Sequence, residues 1–112
     1  MSLTELTTLE QWEAVLHQTN ERPAVILKHS TTCPVSSNAY NEFMSYLQDT
    51  PRTDVDYYLV KVIESRPVSN EIAEAIQIKH ESPQVLMIDK QANYWNTSHW
   101  SVTKAHMAAV LD

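Results

Sequence analysis

The stretch Ala24–Ser37, which reads AVILKHSTTCPVSS, contains the only cysteine of the 112-residue chain. Its apolar first part, Ala24–Leu27, predicts a short buried strand, and a helical pattern follows Pro34. Proline fits the first helical position, where its missing N–H costs nothing. Cys33 therefore lies at a strand-to-helix turn, where free backbone N–H groups favour the thiolate over the thiol. We predict that Cys33 is partly accessible and catalytic.

A serine stands where a Cys-x-x-Cys redox site has its second cysteine. Ser36 follows Cys33 by three residues, a spacing at which helical side chains face each other. Two roles for Ser36 stay open: a hydrogen bond to the Cys33 thiolate, or an ordinary place in the first helical turn. A lone cysteine is often only a small buried hydrophobe, but the position before Pro34 outweighs that alternative. Because no internal disulfide can close, the sequence predicts a one-thiol exchange cycle completed by an external thiol.

Composition narrows the classes of partner. The chain has 112 residues, 43% of them hydrophobic, which is enough for one compact domain over residues 1–112. We expect the protein to be a monomer. The net charge of −6 argues against nucleic acid and anionic membrane surfaces, and no apolar run is long enough to span a bilayer. The absence of glycine excludes a Gly-rich phosphate loop and a dinucleotide fingerprint. The polar start and the single cysteine predict no secretory signal and a reducing, cytoplasmic location.

Hydrophobic periodicity predicts the order helix, strand, helix, strand, helix, hairpin, helix. A strand–helix–strand unit gives a right-handed parallel crossover, and a hairpin adds antiparallel strands. The predicted fold is therefore α/β and thioredoxin-like, a three-layer α/β/α sandwich with a four-stranded mixed sheet. The predicted elements are a helix burying Leu9, Trp12 and Leu16, strands at Ala24–Lys28 and Val55–Ile63, helices at Pro34–Gln48 and from about Pro67, hairpin strands at Val85–Ile88 and Tyr94–Thr97, and a helix capped by Ser101 with Val102, Ala105 and Ala109 inward.

A proline opens the first strand of the hairpin. This position is unusual, because proline removes a hydrogen bond from the sheet. Thioredoxin-like proteins hold a cis-proline against the active cysteine, and we interpret Ser82-Pro83 as that element, with Ser82 presenting its backbone to a peptide or thiol. An ordinary trans proline at a strand start is the alternative.

Four segments make the chain resemble a known family. The segments LKHSTTCPVS, ESRPVSN, KHESPQ and TSH, which begin at residues 27, 64, 79 and 97, resemble the monothiol bacilliredoxins, thioredoxin-fold proteins of low-GC Gram-positive bacteria. The resemblance covers nearly the whole chain. It implies that Cys33 attacks the mixed disulfide between a client protein and bacillithiol, releases the client and retains bacillithiol. A second bacillithiol or a partner redoxin would restore the thiol. Bacillithiol would be a co-substrate, and no tightly bound cofactor is implied.

The other candidate site residues lie in the loops expected to meet Cys33. Thr97-Ser98-His99 resembles the region in which glutaredoxins bind a cofactor carboxylate, so it would receive the malate part of bacillithiol. His29 and His80 are candidates for tuning the thiolate, with a solvated loop histidine as the alternative for each. One cysteine with scattered histidines gives no zinc-ligand spacing, and we predict no metal site. The predicted substrate- or cofactor-binding residues are Thr32, Pro34, Ser36, Ser82, Pro83, Thr97, Ser98 and His99.

Two other functions compete with this interpretation. An arsenate-reductase-like enzyme also uses one cysteine near a helix start, but it needs several arginines for the oxyanion. The three arginines, Arg22, Arg52 and Arg66, all lie far from Cys33 in sequence. A non-catalytic redox adaptor could keep the same scaffold, although an intact cysteine and Ser82-Pro83 pair argue against simple loss of chemistry.

Overall fold

A five-stranded mixed sheet forms the centre of the protein in a computed structural model that describes residues 3–49 and 51–111. In chain order the strands are β1 (Leu3–Glu5), β2 (Ala24–His29), β3 (Asp56–Lys61), β4 (Gln84–Asp89) and β5 (Ala92–Ser98). Across the sheet they lie in the order β1-β3-β2-β4-β5. The pairs β1–β3 and β2–β3 are parallel, whereas β2–β4 and β4–β5 are antiparallel.

Within the described residues, four α-helices cover the two faces of the sheet. They are α1 (Leu9–Gln18), α2 (Pro34–Gln48), α3 (Arg66–Ile76) and α4 (Lys104–Leu111), and a short 3-10 helix spans His99–Ser101. One apolar core joins α2 and α4 to the sheet, and a second core joins α1 and α3 to the opposite face. The predicted three-layer α/β/α arrangement is confirmed.

The continuous apolar run of β2 follows from its central place. All six of its residues are buried, because helices cover both faces of the strand and neither side meets water. Val25 and Leu27 face the α2/α4 core, while Ala24 and Ile26 face the α1/α3 core. Lys28 is fully buried as well, an exceptional position for a lysine.

The sheet has five strands rather than the predicted four. The additional strand, β1, covers three residues at the edge and pairs with β3, with Leu3 opposite Tyr57. The backbone N–H of Leu6 then donates to the carbonyl of Leu59 at 2.8 Å. A strand this short has no alternation long enough to detect in sequence.

Both terminal helices differ in detail from the prediction. In α1, Val15 is buried with the expected Trp12, while Leu9 is 45% exposed. The last helix is capped by the Thr103 hydroxyl, which accepts from His106 N–H at 3.1 Å, and Ser101 belongs to the 3-10 helix. Because the helix begins later than expected, its inward residues are Met107 and Leu111, whereas Ala105 and Ala109 are exposed and Val102 is buried as predicted.

Candidate functional site

Four segments lie at one end of the sheet. The carboxyl ends of β2, β3 and β5 and the amino end of β4 share this end, because β4 alone runs antiparallel to β2 and to β5. They lead into the Cys33 turn, the turn 62–65, the Ser82-Pro83 loop and the 3-10 helix. The topology therefore gathers the predicted site segments on one side of the molecule.

Cys33 stands at the start of α2. It is the N-cap residue, its side chain makes no capping hydrogen bond, and Pro34 takes the first helical turn as predicted. The Cys33 N–H donates to the carbonyl of Ser30 at 3.4 Å, and the Cys33 carbonyl accepts from Ser37 N–H at 3.0 Å. The thiol is free and half-buried, and Thr32 beside it is exposed. A partly accessible sulfur at a helix start suits thiol–disulfide exchange.

Ser36 fastens the turn before Cys33 to the helix after it. Its side chain is fully buried. The Oγ atom accepts from the backbone N–H of Ser30 at 2.8 Å and lies 2.8 Å from Nδ1 of His29. Both contacts show that Ser36 orders the first turn of α2. A hydrogen bond from Ser36 to the Cys33 thiolate stays a prediction.

His29 is part of the same buried arrangement. Its ring lies 5.0 Å from the ring of Tyr40, centre to centre. Burial lowers the pKa of His29, and a backbone hydrogen bond at Ser36 opposes this effect. The His29 imidazole, which lies beneath the Cys33 turn, is therefore neutral at physiological pH.

The Ser82-Pro83 peptide is cis, as predicted. The Pro83 carbonyl accepts from the His99 N–H at 2.9 Å, and Pro83 itself is buried. The Ser82 hydroxyl is a buried atom without a hydrogen-bond partner among the described residues. The cis-proline loop is therefore joined directly to the start of the 3-10 helix.

A second set of contacts joins β5 to the same loop. The Ser98 hydroxyl donates to Oε2 of Glu81 at 2.7 Å, and the His99 Nδ1 atom lies 4.0 Å from this oxygen. The hydrogen bond from Ser98 lowers the pKa of Glu81, which keeps its carboxylate ionised. Ser98 is half-buried and His99 exposed, whereas Thr97 is buried within the strand opposite Val85. The structure thus brings Ser98 and His99 to the loop and places Thr97 inside the sheet.

His80 lies on the opposite side of the sheet from His29. Its Nδ1 atom is 3.3 Å from the buried Nζ of Lys28 and 3.2 Å from the Ser69 hydroxyl in α3. Burial, followed by the charges of Lys28 and Arg66, lowers the pKa of His80. Sequence reasoning missed Lys28; the available signal was a lysine directly after the apolar run that predicts β2.

An oxyanion site at Cys33 would need several arginines, but of the three only Arg66, the first residue of α3, lies at the Cys33 end of the sheet. Arg22 and Arg52 lie at the other end of the sheet, where they pair with Asp56 at 3.4 Å and Asp54 at 2.6 Å. Over residues 3–49 and 51–111, no group of three histidine, cysteine or acidic side chains could hold a metal ion. Within the same ranges, none of the helices combines the length and apolarity needed to cross a membrane.

The fold and the site define a protein class: a thioredoxin-fold protein with one free thiol at a helix start and a cis-proline at the same end of its sheet. The chain belongs to the monothiol bacilliredoxin family, because the family model described as "Monothiol bacilliredoxin BrxC" matches residues 4–107. Family and fold together give it a thiol-oxidoreductase role.

Solved structures agree with this placement. One protein, described as having a thioredoxin fold and a provisional oxidoreductase role, is 33% identical with a TM-score of 0.82, over 96% of this chain and 91% of its own. Thioredoxin from Malassezia sympodialis is 17% identical with a TM-score of 0.78, over 98% of this chain and 88% of its own. Thioredoxin O2 from Arabidopsis thaliana is 16% identical with a TM-score of 0.76, over 99% and 96% of the two chains. The two thioredoxins show similarity of fold alone.

Proposed function

We propose that this protein removes bacillithiol from mixed disulfides on client proteins, with Cys33 as the nucleophile. The observation that carries the proposal is a free, half-buried thiol at the start of α2, at the same end of the sheet as the cis-proline loop, in a chain with no second cysteine. Membership of the monothiol bacilliredoxin family supports bacillithiol as the co-substrate.

The proposed reaction has two exchange steps. In the first, the Cys33 thiolate attacks the bacillithiol sulfur of the mixed disulfide; a new S–S bond forms, the old one breaks, and the client leaves as a thiolate that takes a proton from water. In the second, the thiolate of another bacillithiol attacks the bound bacillithiol sulfur, which restores Cys33 and releases bacillithiol disulfide. A partner redoxin thiol could replace this second attacker. Electrons balance in each step, because one disulfide is exchanged for another.

The loops around Cys33 supply the proposed binding groups. We expect the Ser82 backbone to pair with the substrate, and Ser98 with His99 to receive a carboxylate of bacillithiol. The contacts of Ser98 and His99 with Glu81 support this placement at the loop, whereas the burial of Thr97 favours a supporting position in the strand. Thr32 and Pro34, both exposed beside the thiol, are expected to contact either substrate.

The cellular setting belongs to the same proposal. A single unpaired thiol needs a reducing compartment, so we place the protein in the cytoplasm. Its partners would be bacillithiolated clients, free bacillithiol and a regenerating redoxin, and we expect it to act as a monomer.

Intact-mass spectrometry tests the proposal. The purified protein is mixed with a model client that carries one bacillithiol mixed disulfide, and both masses are followed with time. We expect the bacillithiol mass to move from the client to this protein, and to leave it when free bacillithiol is added. Cys33→Ser should accept nothing while keeping its circular dichroism spectrum and unfolding midpoint.

A client modified with glutathione provides the comparison of substrates, and we expect slower transfer from it. If the folded wild-type protein leaves the bacillithiolated client unchanged in excess bacillithiol, the oxidoreductase proposal fails. The redox-adaptor function would then take its place.

A further inference from the structure

A buried lysine that takes no part in the proposed exchange lies behind the cis-proline loop. The Lys28 ammonium donates to the Ser69 carbonyl at 3.0 Å and lies 3.3 Å from Nδ1 of His80. Its partners among the described residues are neutral groups, not carboxylates. Burying a charged group costs several kcal/mol unless hydrogen bonds compensate it. The contacts with Ser69 and His80 compensate this burial and connect β2 to α3 and to the loop before Pro83.

The contact with Lys28 fixes the proton on His80. An ammonium group can only donate, so Nδ1 of His80 accepts and the ring proton lies on Nε2. The charged groups near the ring are Lys28 from β2, Arg66 from α3 and Glu81 from its own loop. Partial burial, followed by the charges of Lys28 and Arg66, lowers the pKa of His80 against the opposing effect of Glu81, so the imidazole is neutral at pH 7.

His80 belongs to a loop that is attached to neighbouring elements at several points. The Lys79 carbonyl accepts from the Gln84 side chain at 3.1 Å, Glu81 accepts from Ser98, and the Pro83 carbonyl accepts from His99. Those attachments come from β4, β5 and the 3-10 helix. The contact of His80 with Lys28 ties the loop to the centre of the sheet, on the side of α1 and α3.

We propose that Lys28 is a positioning residue that acts through His80 to hold the Ser82-Pro83 loop in its place at the end of the sheet where Cys33 lies. The inference rests on the proposed function, since the loop matters there as the element that presents Ser82 to the mixed disulfide. Lys28 is fully buried, so it works on the substrate only through the loop.

Nuclear magnetic resonance of Lys28→Met tests the contact without any substrate. In the wild type we expect imidazole nitrogen shifts of a neutral ring with the proton on Nε2. In Lys28→Met we expect the pKa of His80 to rise and the amide of His99, which donates to Pro83, to exchange faster with solvent. The His80 signals are identified by their absence from His80→Asn.

Lys79→Met is the matched control, because it removes a lysine charge from the exposed residue next to His80. It should keep the wild-type His80 pKa and the wild-type exchange rate of the His99 amide. If Lys28→Met also keeps both, the contact does not position the loop and the inference falls.

Kinetics of bacillithiol removal give the second readout. For Lys28→Met at pH 7 we expect KM for the modified client to rise about tenfold with kcat within about twofold, since the loop binds but does not react. His80→Leu should match it, and His80→Asn should recover wild-type KM, because its amide oxygen can accept from Lys28. The double variant Lys28→Met/His80→Leu should be no worse than either single variant, as coupled residues require.

An unchanged KM in folded Lys28→Met, or effects that add in the double variant, would overturn the inference. A wild-type protein that fails to remove bacillithiol overturns the proposed function instead. The magnetic resonance measurements distinguish the two failures, because they need no turnover.

Discussion

At the scale of single residues, Ser36 joins three parts of the Cys33 turn through one hydroxyl group. Replacing Ser36 by alanine leaves the Ser30 N–H and the His29 ring nitrogen buried with one partner fewer. We expect the free energy of unfolding to fall by about 2 kcal/mol, within the range for unsatisfied buried polar groups. Urea denaturation measures this change.

The neighbouring variant Ser37→Ala is the control for that measurement. Ser37 is exposed, so its loss should change stability by less than about 0.5 kcal/mol. Equal effects of the two substitutions would mean that the Ser36 hydroxyl has no special role in ordering the turn.

Replacing Ser36 by cysteine should convert the reaction from one thiol to two. The new thiol stands one helical turn from Cys33, where side chains three residues apart can meet. We expect it to attack the Cys33–bacillithiol disulfide, so that bacillithiol is released and an internal disulfide remains. Mass spectrometry with thiol counting checks this outcome. Ser37→Cys, on the exposed side of the helix, should retain the bound bacillithiol much longer; identical behaviour of the two variants would contradict the spacing argument.

The residues of the site differ in how far the sequence could predict them. Cys33-Pro34 and Ser82-Pro83 were predictable because each carries its signal locally, in a helix start and in a proline at a strand start. The contact between Lys28 and His80 joins positions 52 residues apart. The bond between Ser36 and His29 depends on which face of two elements each side chain occupies. Such contacts depend on side-chain direction after folding, for which a single sequence contains no local pattern.

At the scale of elements, α3 ends in a conformation that favours glycine. Gln77 follows its last turn with φ 58° and ψ 39°, a left-handed geometry that costs an L-residue with a Cβ atom roughly 1 kcal/mol or more. Gln77→Gly should therefore raise the free energy of unfolding by about 0.5–1 kcal/mol, after allowance for the greater freedom of glycine in the unfolded chain. The urea midpoint should rise with an unchanged slope.

Glu74→Gly introduces the same residue three positions earlier, at an exposed site inside α3. There glycine weakens a right-handed helix, so we expect a loss of about 1 kcal/mol. The two variants should differ in sign. A loss in both would show that the backbone geometry at Gln77 carries no appreciable cost.

Elements with a strong hydrophobic pattern were predicted well, and elements fixed by their neighbours were not. Central β2 buries a continuous apolar run, and amphipathic α3 buries one apolar face. Their hydrophobic patterns were therefore enough to predict where these elements lie in the fold. In contrast, β1 is three residues long and forms because β3 offers it an edge. The late start of α4 depends on the 3-10 helix before it. This short helix begins with His99 at φ 54°, a conformation that the local sequence does not predict.

At the scale of the whole molecule, the buried ammonium of Lys28 links stability to pH. Burial lowers the pKa of Lys28 to about 8 from 10.5. Between these values the unfolded chain binds the proton more tightly than the folded protein does, so the free energy of unfolding rises with pH. The lysine contribution should grow by about 2 kcal/mol between pH 7 and pH 10.

The comparison of wild type with Lys28→Met isolates this contribution, because the other titrating groups are common to both proteins. We expect Lys28→Met to be favoured in stability at pH 7 and to lose about 2 kcal/mol of that relative advantage by pH 10. Urea denaturation at the two pH values measures the difference. A difference independent of pH would contradict a buried lysine that gives up its proton near pH 8.

Because it has a single half-buried thiol, each copy of the protein is either free or capped at that one sulfur. Since the chain has one cysteine, a population of the protein can be divided into copies with a bare sulfur and copies with a capped one. The ratio of two peaks in an intact-mass spectrum then gives the fraction capped, without digestion or site assignment. Rapid acid quenching of living cells would freeze that ratio, so the protein could serve as an internal gauge of the thiol pool that it meets.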